Sequence, residues 1–302
     1  SRRIGVICHT HIPRTELVLH TITQHPITRA ELRYQWHIIE NGRSGALWIW
    51  MAYLLLIPAA IVSLVFFIGA ILNQLIPGGI HFLPESTASL LGGLGATHLL
   101  AMNLAMYLVL TMITLGLAAN SISREKRGKT WDNLLLTGVS ARHIVWGKWW
   151  ATLSALWGDH AVTAVLRLGV VGWLVYVLGG EALYQPILPF LPTMLSYLVV
   201  GALLLAAYAV VDAALSAALG VLIPLTPWDG AAALVAAIGL RLLVSLAPFV
   251  LPVFVFTQFE NHFAAFYVAF WTGFLLFLVA LTWAVLRLAQ AMAVRQHALS
   301  TP

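Results

Sequence analysis

Charged residues are scarce in this sequence. They make up 9% of its 302 positions while 61% are hydrophobic, against roughly 25% charged in a typical soluble domain. That shortage excludes a water-soluble chain. Apolar stretches of about 20 residues or more recur, each long enough to cross hydrocarbon roughly 30 Å thick, and they indicate an integral membrane protein. Cysteine is nearly absent: Cys8 stands alone, so no disulfide can form within the chain. The first 44 positions carry basic residues with no apolar run behind them, so no cleavable leader is expected there. Cys8, His9 and His11 do not follow a standard zinc spacing, and no metal site is expected. No Ser/His/Asp order or paired-carboxylate site stands out, so the chain is not expected to be an enzyme.

What is present is a series of apolar runs. Six spans can be read, at about Ala46 to Leu75, Leu91 to Asn120, Trp150 to Leu178, Ile187 to Leu222, Ala231 to Phe256 and Phe266 to Ala291. The fold class expected is all-α, with a segment 1–44 before a six-helix membrane domain over 45–302. Pro186, Pro189, Pro192 and Pro224 mark span ends, and Pro248 with Pro252 predicts a broken or re-entrant end of the fifth span. Basic residues fall on one side: Arg2, Arg3, Arg14, Arg29, Arg33 and Arg43 precede the first span, and Arg287 and Arg295 close the chain. The three opposite loops hold Glu85, Glu181 and Glu260 and no Lys or Arg. The positive-inside rule then places both termini in the cytoplasm. The net charge of +5 is a topology signal, and no nucleic-acid partner is needed to explain it.

Two stretches outside the spans carry more information. From Thr28 to Glu40, Arg29, Arg33, His37 and Glu40 share one helical stripe and Leu32, Trp36 and Ile39 another, interrupted by Glu31 and Gln35. A helix lying in the membrane interface and a solvated helix before the membrane both fit this pattern. The second stretch, Ser123 to Lys148, contains six of the sixteen Lys and Arg residues. Its Gly128-Lys129-Thr130 imitates the tail of a Walker A loop. The first glycine of that motif is Ser123 here, and the element upstream is a membrane helix, so the chain is not expected to bind ATP. The remaining segment, TWDNLLLTGVS, predicts a short helix with Thr130 as N-cap, Asp132 in the first turn and Gly138 as its stop. Trp131, Leu134 and Leu135 would project from it, either as a docking surface or tucked against the membrane.

These residues resemble type-2 ABC transporter permeases. Glu125, then Thr130 to Ser140, then Ile144 to Gly147-Lys148 is similar to that family's first cytoplasmic loop: Glu, Thr-Trp/Leu-Glu-x-Leu-Leu-Leu-Thr-Pro-Leu/Val-Ser, Ile-x-x-Gly-Lys. His25-Pro26-Ile27 followed by Glu31-Leu32-Arg33 resembles its Asn-Pro and Glu-Leu-Arg before the first span. The resemblance implies that Glu125, Thr130, Trp131, Asp132, Leu134, Leu135, Leu136, Thr137 and Ser140 form a coupling helix. That helix would dock on a separate cytoplasmic ATPase subunit, which holds the ATP and Mg, while this chain binds no cofactor. It further implies an exporter working as a dimer with a second permease copy or paralogue in a bacterial cytoplasmic membrane. Three departures are Gly138 for proline, Lys129 for a glycine and His25 for asparagine. An accessory subunit of a larger membrane complex, with the same bundle but no transport, is the alternative.

Inside the spans, Asp159, Asp212 and Arg241 each lie about ten residues from the basic side, near one depth of roughly 15 Å at ~1.5 Å per residue. An Asp212–Arg241 ion pair would neutralise two of them; the other reading is a polar lining for a substrate path or subunit interface. Arg167 would snorkel towards the outer face. His160 beside Asp159 lacks further inward ligands for a metal or proton relay. The small-residue stretch from Leu91 to Met106 would let helices approach closely, within this chain or between two copies.

Overall fold

A computed structural model describes residues 25–43, 47–75, 85–136, 139–178, 193–228, 230–256 and 263–300. Cys8, Thr137, Gly138, Glu181 and Glu260 lie outside them, as do Pro186, Pro189 and Pro192. Every regular element among the described residues is helical. They are α1 (Pro26–Arg43), α2 (Leu47–Leu75), α3 (Glu85–Arg127), α4 (Trp131–Leu136), α5 (Ala141–Ala155) and α6 (Trp157–Leu178). There follow α7 (Thr193–Leu222), a 3₁₀ turn (Ile223–Leu225), α8 (Gly230–Phe256) and α9 (Phe263–Ser300). A helix satisfies its own backbone, which hydrocarbon cannot do, so apolar runs of this length fold as helices. Four stretches among the described residues are long and apolar enough to cross a membrane: Leu54–Leu72, Thr97–Arg127, Leu195–Leu225 and Val268–Arg295. Many of their apolar side chains point outward, Leu64, Leu104, Leu203 and Leu276 among them, as suits a surface solvated by lipid.

The helix α6 packs along α2, α3 and α7, while α7 also packs on α3 and α9. Small residues set the closest approaches. A Cβ at Gly169 would stand 2.3 Å from Ser63 Oγ, and one at Gly172 would stand 2.9 Å from Phe67 Cα. Ser63 Oγ donates to the Val165 carbonyl at 2.5 Å and accepts the Gly169 amide at 2.8 Å. A side chain of α2 thus bonds both the carbonyl and the amide that face each other across one turn of α6. Between α3 and α7, Gly220 rests on Leu115 and Ala118. The main core continues through Ile122, Leu215, Leu219, Leu278, Leu286 and Ala289.

Three boundaries differ from expectation. The second span does not end at Asn120: α3 continues to Arg127 and carries the basic residues on its last turn. The third span is divided, because Leu156, between α5 and α6, has φ −103° and ψ 7°. The hydrogen-bond chain nevertheless crosses the distortion, from Leu156 N to Thr152 O and from His160 N to Leu156 O. Finally, α8 runs without interruption to Phe256, so Pro248 and Pro252 do not break it. Membrane helices tolerate proline where neighbours re-satisfy the freed backbone groups.

Candidate functional site

The end of α3 is closed by a specific cap. Thr130 N bonds Glu125 O at 3.0 Å and Lys129 N bonds Lys126 O at 3.2 Å, the paired bonds of a Schellman motif. The residue that must turn left-handed is Lys129, with φ 55°. Glycine suits that position because it has no Cβ to clash. The departure noted at Lys129 therefore falls where the resembled family's glycine would be conformationally favoured.

The chain enters α4 directly from this cap. Thr130 is its N-cap by position, since its carbonyl accepts Leu134 N at 2.9 Å. Its hydroxyl donates to Glu125 Oε2 at 2.5 Å, tying the start of α4 to the last turn of α3. Trp131 is also corrected. Rather than projecting, it is 4% exposed and belongs to the main core, with Leu134 partly buried against the same core. Among the described side chains of α4, Asn133 and Leu136 point outward, the latter 69% exposed; the side chains of Asp132 and Leu135 lie outside the description. A short helix with apolar residues on more than one side buries the largest, because a tryptophan buries 150–250 Å². Ser140 starts α5 by accepting His143 N.

Beneath α4 lies a buried charge network built from both stretches that carry the resemblance. Lys148 Nζ, on a side chain 1% exposed, reaches Glu31 Oε2 at 2.9 Å and Glu125 Oε1 at 3.3 Å. Its third proton goes to the Ser121 carbonyl at 3.0 Å, so every donor is used. Arg124 bridges the same carboxylates at 2.9 and 3.3 Å and lies 3.6 Å over the Tyr34 ring. Two cations thus balance two anions, which is what permits their burial. Gln35 completes the set by donating to Glu31 at 3.2 Å and to Thr152 at 3.0 Å.

This network fixes which face of α1 packs on the bundle. The buried stripe is polar, Thr28, Glu31 and Gln35, while Trp36 is exposed. The residues that seemed to interrupt an apolar face are the face that packs on α5. Gly147 allows the approach, since a Cβ there would meet Thr28 Oγ1 at 2.8 Å. One turn earlier His25 stacks on His143, with ring centroids 5.2 Å apart and planes 13° from parallel. Burial and then the nearby His143 push the His25 pKa below its usual value of 6.5. Lys126 Nζ donates to the Pro224 carbonyl at 2.7 Å, tying the same end of the bundle to the turn between α7 and α8.

A second polar cluster lies midway along the bundle. Arg241 pairs with Asp212 and donates through Nε to Ser216 Oγ at 2.8 Å, the hairpin pairing expected from their common depth. Ser245 spends its proton on the Arg241 carbonyl at 2.7 Å, so Tyr107 is the donor in the Tyr107–Ser245 hydrogen bond. By the same reasoning Thr114 donates to Leu110 O, and the proton between Thr114 and His160 belongs to His160 Nε2. Asp159 lies half-buried on the first turn of α6, its carbonyl accepting the Thr163 hydroxyl at 3.1 Å.

A scan against protein-family models, a search of curated proteins and a search of solved structures each found no match. Among the described residues no group of three or more His, Cys, Asp or Glu is placed to hold a metal ion.

Proposed function

We propose that this chain is the six-span permease subunit of an ATP-driven ABC exporter, working as a dimer in a bacterial cytoplasmic membrane with both termini inside. On this reading a separate ATPase subunit binds ATP and Mg, and α4 carries its closure into the spans. One observation carries the proposal. Glu31, Glu125 and Lys148 come from two distant stretches that both resemble this family, and they meet in one buried ion network at the root of α4. A push on α4 would reach α3 through the Thr130–Glu125 bond. From Glu125 it would reach α5 through Lys148, and α1 through Glu31. Rigid elements joined by short charged contacts are a physical route for such coupling. Asn133 and Leu136 supply the outward contact on this reading.

The second reading, an accessory subunit without transport, is favoured by the burial of Trp131, which reduces the apolar surface left for docking. Purification from the native membrane in mild detergent separates the two. A stoichiometric ATPase that is lost from a Leu136→Asp variant supports the exporter. Other integral proteins with no nucleotide-binding subunit would replace it by the accessory role.

A further inference from the structure

The middle cluster contains one charge with no counterpart. Arg241 and Asp212 neutralise each other, but among the described residues no carboxylate forms an ion pair with Arg167. Its guanidinium is held between two aromatic rings, 5.3 Å from the Tyr107 centroid and 5.1 Å from the Tyr208 centroid. Ring faces attract a cation by roughly 0.5–2 kcal/mol, yet they do not satisfy the planar fork of N–H donors that a guanidinium presents.

Arg167 lines a cavity of about 10 Å³ together with Tyr107, Thr111, His160, Thr163 and Asp212. That is room for about one water-sized atom. Thr111, on α3, is buried and lines the cavity beside Arg167. Thr111 sits near the middle of the Thr97–Arg127 apolar stretch, and Asp212 near the middle of Leu195–Leu225. The cavity is therefore at membrane depth, where an unmatched charge is costly and marks a functional site by default. Arg167 itself is only partly buried, which leaves it reachable.

We propose that Arg167 and Thr111 form a binding site for one anionic oxygen of a carboxylate or phosphate group. The guanidinium fork matches such an oxyanion in charge and geometry. The cavity admits a single oxygen, so the remainder of the ligand stays outside it: the apolar tail of an acidic amphiphile in the bilayer, or nothing when the ligand is a free anion. Asp212 does not repel it, because its charge is already matched by Arg241. The site belongs to the chain alone and does not depend on an ATPase partner.

The test titrates the purified full chain in uncharged detergent and follows its thermal unfolding midpoint, which rises when a ligand binds the folded state. The probes are oleate, oleyl alcohol as its uncharged twin, acetate and inorganic phosphate. Oleate should raise the midpoint and oleyl alcohol should not. Arg167→Gln should weaken oleate at least tenfold, and Thr111→Val several-fold. An Arg167-dependent shift with acetate or phosphate assigns the site to a soluble anion instead of a lipid. Equal shifts with oleate and oleyl alcohol, no shift with any anion, or full oleate affinity in both Arg167→Gln and Arg167→Lys would overturn the proposal. If Arg167→Gln does not fold, the wild-type comparison and the Thr111→Val titration decide.

Discussion

The two buried ion networks differ in what they join. Asp212 and Arg241 link neighbouring helices across one short turn, whereas Lys148 joins Glu31, 117 residues away, to Glu125, 23 residues away. A hairpin is brought together by its own connection, and its ion pair mainly settles two charges. The network under α4 instead holds three segments that short connections alone would not place in register. Charges of this kind specify arrangement more than they add stability. Removing a single partner should then separate the two networks experimentally.

The largest effect is expected from Lys148→Met. It strands two carboxylates with only Arg124 between them, so unfolding in mixed micelles should show a loss of about 3–5 kcal/mol. Glu31→Gln should cost less, because Glu125 remains to pair with Lys148 and Arg124. At the hairpin, Asp212→Asn should be destabilising by a similar order, while Asp212→Leu with Arg241→Met should recover most of the loss, since no lone charge remains. A double replacement of Glu31 and Lys148 by apolar residues should recover less, because the buried Ser121 carbonyl and Gln35 amide each lose a hydrogen bond while Glu125 and Arg124 keep only each other. Equal recovery in both double variants would erase the distinction between the networks.

Packing beneath α1 gives the next effect. Gly147→Ala places a methyl 2.8 Å from Thr28 Oγ1 and should cost about 1–3 kcal/mol. Thr28→Ala should relieve it in the double variant. Trypsin cleavage at Arg29 and Arg33, both exposed, reports whether α1 has lifted from α5. A smaller change of opposite sign is expected at the cap of α3. Lys129→Gly removes a left-handed non-glycine residue and should stabilise the protein by about 1 kcal/mol, visible as a rise in unfolding midpoint.

These contrasts also explain which features the sequence revealed. Asp212 and Arg241 were legible because helical rise converts residue number into depth, and both lie on adjacent elements. Lys129 stood out only as a departure from a family's glycine; its left-handed backbone gives the reason. Glu31 and Gln35 were misread as flaws in an apolar stripe, since nothing local announces that a polar face will be matched by Lys148 and Thr152. Lys148 was visible in a motif but without a role, because its partners come from two other segments, α1 and α3. Trp131 was assigned outward for a related reason: six residues of helix leave little periodicity to show which apolar side faces the core. The distortion at Leu156 has no proline to signal it.

The smallest expected effect is also a property of the α1 junction that the hairpin lacks. His25 Nδ1 accepts the Ile27 amide at 3.4 Å while the ring stacks on His143, an arrangement suited to a neutral ring. Burial first and His143 second lower the folded His25 pKa below 6.5. The undocked state therefore binds more protons as pH falls below about 6.5, and linkage makes docking weaker in that direction. Docking is full above pH 6.5 and erodes as the pH drops through the lowered folded value. Tryptic cleavage at Arg29 and Arg33, assayed after brief pH exposure and return to a common digestion pH too fast for redocking, should increase modestly on the acid side. His25→Gln should flatten that dependence. The Asp212–Arg241 hairpin, probed by unfolding over the same range, should show no His25-dependent change, and a profile unaltered by His25→Gln would assign the acid sensitivity to another group.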